Sequence, residues 1–511
     1  MASRSEPART LMLGRDHLTV ADVRDIAVFE AHARLDPGAA IRMDRAQTVL
    51  QNWLRADRPV YGLTRGLGNQ AVATVPASDR ARFSEDMLKA RASGAGEPLD
   101  ASVVRAALFV RAATLAQGGA GARPAIVETQ LAMLDRNVVP YVPRIGSIGT
   151  SDLMLCANMG LPLVGLGRAT FEGDLLPGAE AMRRAGIPTV VLTEKEGLAL
   201  CSSNAISIGH GALVLAAVAD LLALADAVAA MSLEAFVGNP GPFDARVAAA
   251  HPAPGQEESA RRLRTLLAGS ALFRPGVPRR IQDPISFRCI SHVHGAALTA
   301  LTWATAAVEA ELNCTADNPL ILPDDDEILS TGNFHTAAMA LAFDAVRLAL
   351  VPLGTMAAQR VAQLLNPEVS GLAGRLTRPG VTRSGLGVMA LTAHTLLREA
   401  RALSAPVCND DLTPFGVEDE APFTLLSVRR AAEEIALIEE VLACEMIVAA
   451  QALDLRPLEP SAPAVTALHG FTRRHVFPLD DDRSTTEDIE RLAAAIRSGE
   501  ASDVLSAVKA V

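Results

Sequence analysis

The segment GALVLAAVADLLALADAVAAM, from Gly211 to Met231, is the most apolar run of the chain. It is long enough to raise the question of a membrane-spanning helix. Asp220 and Asp226 fall inside it, however, and a carboxylate within the hydrocarbon core of a bilayer is costly. Alanine and leucine are also strong helix formers. The segment therefore predicts a buried helix of a helical bundle.

Similar helical patterns recur over much of the chain. They cover roughly residues 200–236, 291–313, 334–365, 385–404 and 424–454. Helices of about 20 to 30 residues are roughly 30 to 45 Å long, which suits a bundle. Of the 511 residues, 50% are hydrophobic and only 4% are aromatic, a composition typical of packed helices rich in Ala, Leu and Val. The predicted fold class is all-α.

The charge and cysteine content limit the classes of partner. The 47 Lys and Arg residues against 58 Asp and Glu residues give a net charge of −11. Without a basic run that follows a phosphate backbone, nucleic acid is not an expected partner. The first residues, MASRSEPARTLMLGRDHL, lack the apolar segment of a secretory signal, which predicts a cytoplasmic protein. The cysteines show no Cys-x-x-Cys spacing, so we expect no metal site.

Outside the apolar helices, short strings of glycine and polar residues punctuate the chain. In chain order they are VYGLTRGLG (60–68), GAGEPL (94–99), RIGSIGTSDLMLCANMGLPLVGLG (144–167), LTEKEGLAL (192–200), RIQDPISFRC (280–289), NCTADNPL (313–320), GNFH (332–335), RSGLG (383–387) and VEDEA (417–421). In this order they resemble the motifs of the aromatic amino-acid ammonia-lyases and aminomutases, a family that acts on histidine, phenylalanine and tyrosine.

This resemblance covers nearly the whole chain and carries expectations for its architecture. It implies an L-aspartase-like fold, in which a long helical bundle follows an N-terminal domain of the family type. The expected domains are residues 1–200, the bundle 201–455 and a C-terminal helical tail 456–511. It also implies a carbon–nitrogen lyase that forms a homotetramer, with each active site built from three subunits. Fold alone does not fix the reaction.

The string from 144 to 167 departs from the family at its most important point. In the family, Ala-Ser-Gly cyclises with loss of two waters to the electrophile methylidene-imidazolone (MIO). Here Thr150 and Ser151 stand for Ala-Ser, and Asp152 follows directly. Ring closure needs the nitrogen after the serine to attack in a tightly bent loop, which suits a residue without Cβ. Asp152 predicts that no MIO cofactor forms.

Two alignments fit this loop. A deletion of the glycine keeps Asp152 and Leu153 on the family's Asp-Leu, and a plain substitution of Gly by Asp spoils the downstream match; we favour the deletion. Two further departures coincide with it. The family tyrosine of Gln-Asp-Pro-Tyr is Ile285 here, and the family asparagine after Leu-Ala-Leu-Leu is Ser202. In the relatives both side chains support MIO.

The resemblance also assigns catalytic residues. Tyr61 matches the catalytic tyrosine, which acts as a base when neighbouring cations lower its pKa. Glu418 matches the glutamate near the substrate amino group or ring. With these two groups retained, acid–base chemistry is the expected function of the pocket.

Further positions match residues that bind the substrate. Arg288 matches the arginine whose planar fork holds the substrate carboxylate. Arg65 replaces a family threonine, and Arg91 stands where the histidine lyase has histidine. Together the three arginines predict a locally cationic cleft for an anionic ligand. The other pocket-lining positions are Gln282, Asn318, Phe334, Ser202 and Ile285.

Three functions remain open from the sequence. The first is an MIO-independent enzyme that catalyses elimination, addition or cyclisation at a C–N or related bond of a carboxylate-bearing small molecule with its own electron sink. The second is a conventional MIO-dependent ammonia-lyase or aminomutase. The third is a non-catalytic homologue that serves as a binding or scaffold protein, against which the retention of Tyr61, Arg288 and Glu418 argues.

Overall fold

The computed structural model describes residues 9–377, 383–408 and 417–509, which are mostly helical. The α-helices are α1 (Val20–Ala27), α2 (Pro37–Arg55), α3 (Arg80–Arg91), α4 (Ala101–Ala116), α5 (Pro124–Asp135), α6 (Leu153–Gly160), α7 (Gly178–Arg184), α8 (Glu196–Cys201), α9 (Ala205–Phe236), α10 (Ala245–Ala250), α11 (Gln256–Leu266), α12 (Ile285–Arg288), α13 (Ile290–Leu312), α14 (Ala337–Leu365), α15 (Pro367–Ser370), α16 (Met389–Leu403), α17 (Thr424–Leu455), α18 (Pro463–His475), α19 (Thr486–Arg497) and α20 (Glu500–Lys509). The predicted all-α class is confirmed.

Short strands add small sheets to this helical framework. They are β1 (Arg9–Leu13), β2 (Ala31–Leu35), β3 (Ala95–Pro98), β4 (Val139–Pro140), β5 (Pro143–Ile145), β6 (Arg168–Phe171), β7 (Asp174–Pro177), β8 (Leu320–Leu322) and β9 (Glu327–Leu329). β1 and β2 pair in parallel, with Leu11 opposite Ala33. The other pairs are antiparallel: β3 with β5, β6 with both β4 and β7, and β8 with β9.

The five long helices predicted from the sequence are present as α9, α13, α14, α16 and α17, with ends shifted by a few residues. The largest difference lies at the start of α9, where α8 is a separate helix. Ser202 and Ser203 interrupt the pattern, and the Ser203 hydroxyl accepts a hydrogen bond from the N–H of Ala205 at 3.1 Å. Serine favours such helix starts over helix interiors because its hydroxyl competes for backbone groups.

Two helical stretches within the described residues, Glu196–Phe236 and Ala337–Leu365, have the length and composition of membrane spans. Most of each apolar window is buried inside the protein. Asp226, in the first stretch, is buried and accepts hydrogen bonds at 2.8 Å from Ser259 and from Nδ1 of His294. A buried, hydrogen-bonded carboxylate is what a core helix of a folded protein requires. The prediction for Gly211–Met231 is therefore confirmed.

The chain forms two compact units. Unit 1 comprises residues 1–216, 304–343 and 406–429, and unit 2 comprises 217–303, 344–405 and 430–511. Both are discontinuous in sequence, whereas the domains expected from the sequence are continuous. All the strands of the described residues belong to unit 1.

Unit 2 is held by buried polar groups between long helices. Arg360 on α14 donates two hydrogen bonds to Glu445 on α17, at 2.6 and 2.9 Å, and Ser232 on α9 donates a third at 2.6 Å. Glu434 on α17 is also buried, but neither of its carboxylate oxygens has a hydrogen-bond partner among the described residues. Burial raises the pKa of Glu434 to about 8, and the charge of Arg347 only partly opposes this.

We expect Glu434 to make stability dependent on pH. The folded-state pKa lies above the ordinary value of about 4.3, so the folded state binds a proton more tightly, and this stabilisation is lost as the pH rises through about 8. Between about pH 6 and about pH 9 the group should remove on the order of 2 kcal/mol from the free energy of unfolding. When the free energy of unfolding is measured in urea at several pH values, its decrease with pH should be correspondingly smaller in Glu434→Gln than in the wild type. Glu433→Gln, at an exposed neighbouring position, should keep the wild-type slope. An unchanged slope in Glu434→Gln would contradict the assignment.

Candidate active site

Unit 1 contains a cavity of about 530 Å³ at the meeting point of several elements. Helices α3, α6 and α8 pack on one another and each contributes to its wall. Arg91 is the last residue of α3, Leu153 is the first of α6, Leu198 lies within α8, and Ser202 follows α8 directly. The cavity is thus formed where helices stop, which leaves backbone and side-chain polar groups facing it.

The cavity collects most of the predicted site residues, although they are far apart in sequence. Those on its wall are Tyr61, Arg91, Thr150, Ser151, Ser202, Asn318, Phe334 and Glu418. Asp152 lies behind the wall and is fully buried. Gln282, Ile285 and Arg288 belong to unit 2. Gln282 precedes α12, Ile285 is its first residue and Arg288 its last, and Ile285 is exposed.

Tyr61 is held by the glycine loop that follows it. The backbone N–H of Gly68 donates a hydrogen bond to the phenol oxygen of Tyr61 at 2.9 Å. Gly62 has φ of +68°, and a Cβ there would approach Leu198 of α8 to 2.6 Å. Only glycine combines this backbone conformation with so close an approach. The loop therefore fixes the tyrosine oxygen at the cavity wall.

The loop from Gly149 to Asp152 has an unusual backbone. Ser151 has φ of +77°, a conformation that is rare for a residue with a side chain. Thr150 forms an isolated backbone bridge with His335. Gly149 also has a positive φ, +89°, and a Cβ there would lie 2.9 Å from Pro422 and from the nitrogen of Thr424. Strain of this kind persists only where the surroundings hold it in place.

Asp152 supplies the contacts that hold this loop. Its Oδ1 accepts hydrogen bonds from the hydroxyls of Ser147 and Ser207, at 2.6 and 2.7 Å, and its Oδ2 accepts from the backbone N–H of Ser207 at 2.6 Å. Its own N–H donates to the carbonyl of Ser203 at 2.7 Å. Burial raises the pKa of the Asp152 carboxyl, and the hydrogen bonds from Ser147 and Ser207 counteract part of that increase.

Asn318 and Phe334 are held by their own loops. The side-chain oxygen of Asn318 accepts a hydrogen bond from the N–H of Thr331 at 3.0 Å. The carbonyl of Phe334 accepts one from the side chain of Asn204 at 2.7 Å. The resemblance to the family did not indicate Asn204, which lies two residues after Ser202, the position where the family has asparagine.

A buried ion pair anchors the segment before Asn318. Arg111 on α4 donates from Nη2 to Oδ1 of Asp317 at 2.8 Å, and both side chains are about 1% exposed. Arg111 also donates from Nε to the carbonyl of Ala199 on α8 at 2.8 Å. One guanidinium thus joins two segments of the cavity wall, which limits how far either can move.

The wall supplied by unit 1 is acidic. Glu418, Asp419 and Glu420 all line the cavity and are exposed, against Arg91 as the single guanidinium among the described residues of this wall. Three carboxylates facing one cavity favour a cationic group of a ligand. The string VEDEA contains all three of these carboxylates, but the family resemblance assigned a role only to Glu418.

Of the arginines predicted to form a cationic cleft, unit 1 places Arg91 but not Arg65 on the cavity wall. Arg65 does not line the cavity, because its guanidinium donates a hydrogen bond to the hydroxyl of Thr74 and the two residues form a backbone bridge. Of the two arginines expected from this unit, only Arg91 reaches the wall. The motif positions of the arginines did not indicate that Thr74 would bind the guanidinium of Arg65.

His335 is a second residue of the site that the motif resemblance did not indicate. It lines the cavity, and its Nε2 is hydrogen-bonded to Oε2 of Glu420. The string GNFH includes this histidine, but only Phe334 was assigned to the pocket. The pairing with Glu420 joins residues 85 positions apart, which no local pattern indicates.

A second cavity, of about 620 Å³, lies in unit 2. It is lined by four arginines, Arg264, Arg274, Arg279 and Arg280, and contains none of the predicted site residues. Arg264 and Arg279 are engaged by backbone carbonyls, of Phe243 and Ser370 respectively. We therefore take the cavity in unit 1 as the candidate active site, although it is smaller, because a tyrosine, a histidine and carboxylates line it.

The loop-held tyrosine, the strained serine loop and the carboxylates around one cavity of this helical protein agree with the class of helical carbon–nitrogen lyases that the motifs predicted. The profile of the aromatic amino acid lyases matches residues 18–474. Histidine ammonia-lyase from Symbiobacterium thermophilum is 40% identical over 498 residues, 97% of either chain. The chain therefore belongs to the aromatic amino acid lyase family, as the motifs predicted, and it is an enzyme of the ammonia-lyase superfamily.

Solved structures show the same fold. Ergothionase from Treponema denticola, an ergothioneine-degrading enzyme in complex with desmethyl-ergothioneine sulfonic acid, has a TM-score of 0.93 and 26% identity, and the match covers 96% of this chain and 99% of that one. Histidine ammonia-lyase from Trypanosoma cruzi has a TM-score of 0.88 and 27% identity, with 98% and 95% covered. The predicted lyase-type fold is confirmed.

Replacing Asp152 by Ala should destabilise unit 1. The change removes the acceptor of three buried hydrogen bonds and leaves the Ser147 and Ser207 donors without it. We expect a loss of about 3 kcal/mol in the free energy of unfolding, since a hydrogen bond to a charged group contributes roughly 1.5 to 3 kcal/mol. The control is Asp419→Ala, an exposed carboxylate, which should change stability by less than about 0.5 kcal/mol. Equal stability of the two variants in urea unfolding would show that Asp152 does not hold the loop.

Proposed function

We propose that the protein is an MIO-independent carbon–nitrogen lyase that eliminates an amine from, or adds one to, a carboxylate-bearing amino acid of the histidine type. The observation that carries this proposal is the set of contacts around Asp152. The nitrogen that would close the MIO ring belongs to this residue, and it already donates to the carbonyl of Ser203 at 2.7 Å.

The side chain of Asp152 also fits ring closure poorly. Closure would draw the backbone of residue 152 towards the carbonyl of Thr150 and away from the donors of Ser147 and Ser207. Loss of these hydrogen bonds to a buried carboxylate opposes the movement. The replacement of two supporting family residues by Ser202 and Ile285 points in the same direction. Thr150, Ser151 and Asp152 therefore do not fit an MIO group, and the proposed mechanism does not use one.

In the proposed mechanism Tyr61 exchanges the proton at the β-carbon of the substrate. In the elimination direction the phenolate takes this proton, the C–H electrons form the double bond, and the C–N pair leaves with the amine. Without an MIO group, the substrate itself must stabilise the negative charge that develops at the β-carbon. A protonated imidazole ring on that carbon is such an electron sink, and Glu418 on the acidic wall would keep it protonated.

The substrate class is supported by the relatives. A histidine lyase is 40% identical to this chain, and an ergothioneine-degrading enzyme shares its fold with a TM-score of 0.93. With Glu418 assigned to the ring, Asp419 and Glu420 on the same acidic wall suit the cationic amino end of an amino acid. An amino acid also needs a partner for its carboxylate, and we assign that contact to Arg288.

We further propose that the complete site forms in a cytoplasmic homotetramer. Arg288, Gln282 and Ile285 belong to unit 2. The resemblance implies active sites built from three subunits, and we propose that a neighbouring subunit supplies these three residues. Arg91, Asn318, Phe334 and Ser202 would shape the pocket around the substrate. Arg65, which bonds to Thr74, would act only through the loop of Tyr61.

The second candidate is a conventional MIO-dependent histidine ammonia-lyase. The identity of 40% over 97% of the chain favours it. It requires that Thr150, Ser151 and Asp152 cyclise in spite of the contacts described above. The two candidates differ in the covalent structure of the protein, so a measurement without substrate separates them.

The intact mass of the purified protein should equal that of the unmodified sequence. MIO formation removes two waters, so a mass lower by two waters would overturn the proposal and establish the second candidate. Ser151→Ala is the matched control, because it prevents cyclisation without altering the Asp152 contacts. Its mass should differ from that of the wild type by one oxygen atom only.

Tyr61→Phe and Glu418→Gln should impair catalysis more than binding. L-Histidine is the probe, and release of its amino group is measured. We expect kcat to fall by about 10²- to 10⁴-fold in Tyr61→Phe, the range for loss of a positioned acid–base group, with a smaller change in KM. Asp325→Asn, an exposed acid outside the cavity, is the control. Wild-type activity in Tyr61→Phe, or no amine release by the wild type, would contradict the mechanism or the substrate class respectively.

A further inference from the structure

The pair of His335 and Glu420 lies on the cavity wall beside the strained loop. The backbone of His335 bridges to Thr150, and the imidazole lines the same cavity as Tyr61 and Glu418. Its side chain is 29% exposed, so it faces the cavity and is not part of the closed core. The loop and the imidazole therefore occupy the same side of the site.

The contact with Glu420 determines what the imidazole presents to a ligand. A carboxylate accepts hydrogen bonds and does not donate them, so Nε2 of His335 carries the hydrogen in the bond to Glu420. In the neutral ring the other nitrogen, Nδ1, is then an acceptor. Among the described residues Nδ1 has no hydrogen-bond partner. It is available to a ligand that carries an N–H group.

We propose that His335, positioned by Glu420, accepts a hydrogen bond from the substrate's ammonium group and thereby selects amino acids over their N-trimethyl betaines. A primary ammonium has three N–H donors, and a quaternary ammonium has none. Both carry the same charge, so the carboxylates of the wall do not distinguish between them. The acceptor at Nδ1 does, because the betaine leaves it without a donor and places a methyl group against it.

The other charged groups on the wall support this placement. Glu418 and Asp419 lie in the same segment as Glu420, directly before it, and Arg91 and Tyr61 come from other elements. Glu418 is assigned to the ring of the substrate under the proposed function, on which this inference rests. His335, adjacent to Thr150, is then the group left for the amino end. Glu420 is a positioning residue, since it acts through His335.

The test compares the binding of two probes, L-histidine and its Nα-trimethyl betaine, by calorimetry on the full-length protein carrying Tyr61→Phe. This substitution suppresses turnover of L-histidine, and the protein that carries it alone serves as the wild type for positions 335 and 420. It should bind L-histidine on the order of tenfold more tightly, the ratio for one hydrogen bond of about 1.4 kcal/mol. His335→Leu should bring the ratio of the two dissociation constants close to one, mainly by weakening L-histidine. Glu420→Gln should reduce the ratio less, because a neutral amide can still contact Nε2 but no longer fixes which ring nitrogen carries the hydrogen.

His32→Leu is the matched control, since His32 also contacts a carboxylate, Asp135, but lies outside the cavity. It should keep the wild-type ratio. Thermal unfolding verifies that each variant is folded, and Glu420→Gln carries the test if His335→Leu is not. An unchanged ratio in both variants, or equal binding of the two probes by the wild type, would overturn the inference and leave the pair a structural contact only.

The outcome is separable from that of the proposed function. A mass lower by two waters would overturn the MIO-independent mechanism, but it would not alter the ratio of dissociation constants measured for His335→Leu. Conversely, an unmodified mass with a ratio insensitive to His335 would retain the proposed mechanism and reject only this specificity contact.

Discussion

The buried carboxylate of Asp152 is the constraint on which the rest of the site depends. It brings together Ser147 before the loop and Ser207 in the first turn of α9, and its own N–H binds Ser203 between α8 and α9. Burying a charge without partners is costly, and three donors at the N-terminal end of a helix offset part of that cost. Ser151 is held in its left-handed conformation between these contacts, facing the cavity.

The electrostatic character of the cavity follows from short-range contacts more than from composition. One carboxylate about 4 Å from an ammonium contributes roughly 1 kcal/mol in water and about 4 kcal/mol where the effective dielectric constant is near 20. Three exposed carboxylates on one wall therefore outweigh Arg91, the single guanidinium among the described residues that line it, for a cationic group nearby. Arg288, proposed to bind the carboxylate, belongs to unit 2.

Much of this was predictable, and the rest was not for identifiable reasons. The long helices were predicted because apolar periodicity over 20 or more residues is a strong local signal. Tyr61 and Glu418 were predicted to meet because each lies in a string with a family match, and the structure places both on one wall. The contact between His335 and Glu420 was missed because it depends on how two distant segments approach. The contact of Arg65 with Thr74 was not predicted because a motif position does not reveal a hydrogen-bond partner nine residues along the chain.

The Asp152 contacts also limit which sequence changes this loop tolerates. Under the favoured alignment the loop is one residue shorter than in its relatives, and its carboxylate is matched to Ser147 and Ser207. Any change in the length of the segment between Ser147 and Asp152 must keep the carboxylate within reach of these hydroxyls. We therefore expect sequence variation at this site to concentrate in the exposed residues of the cavity wall.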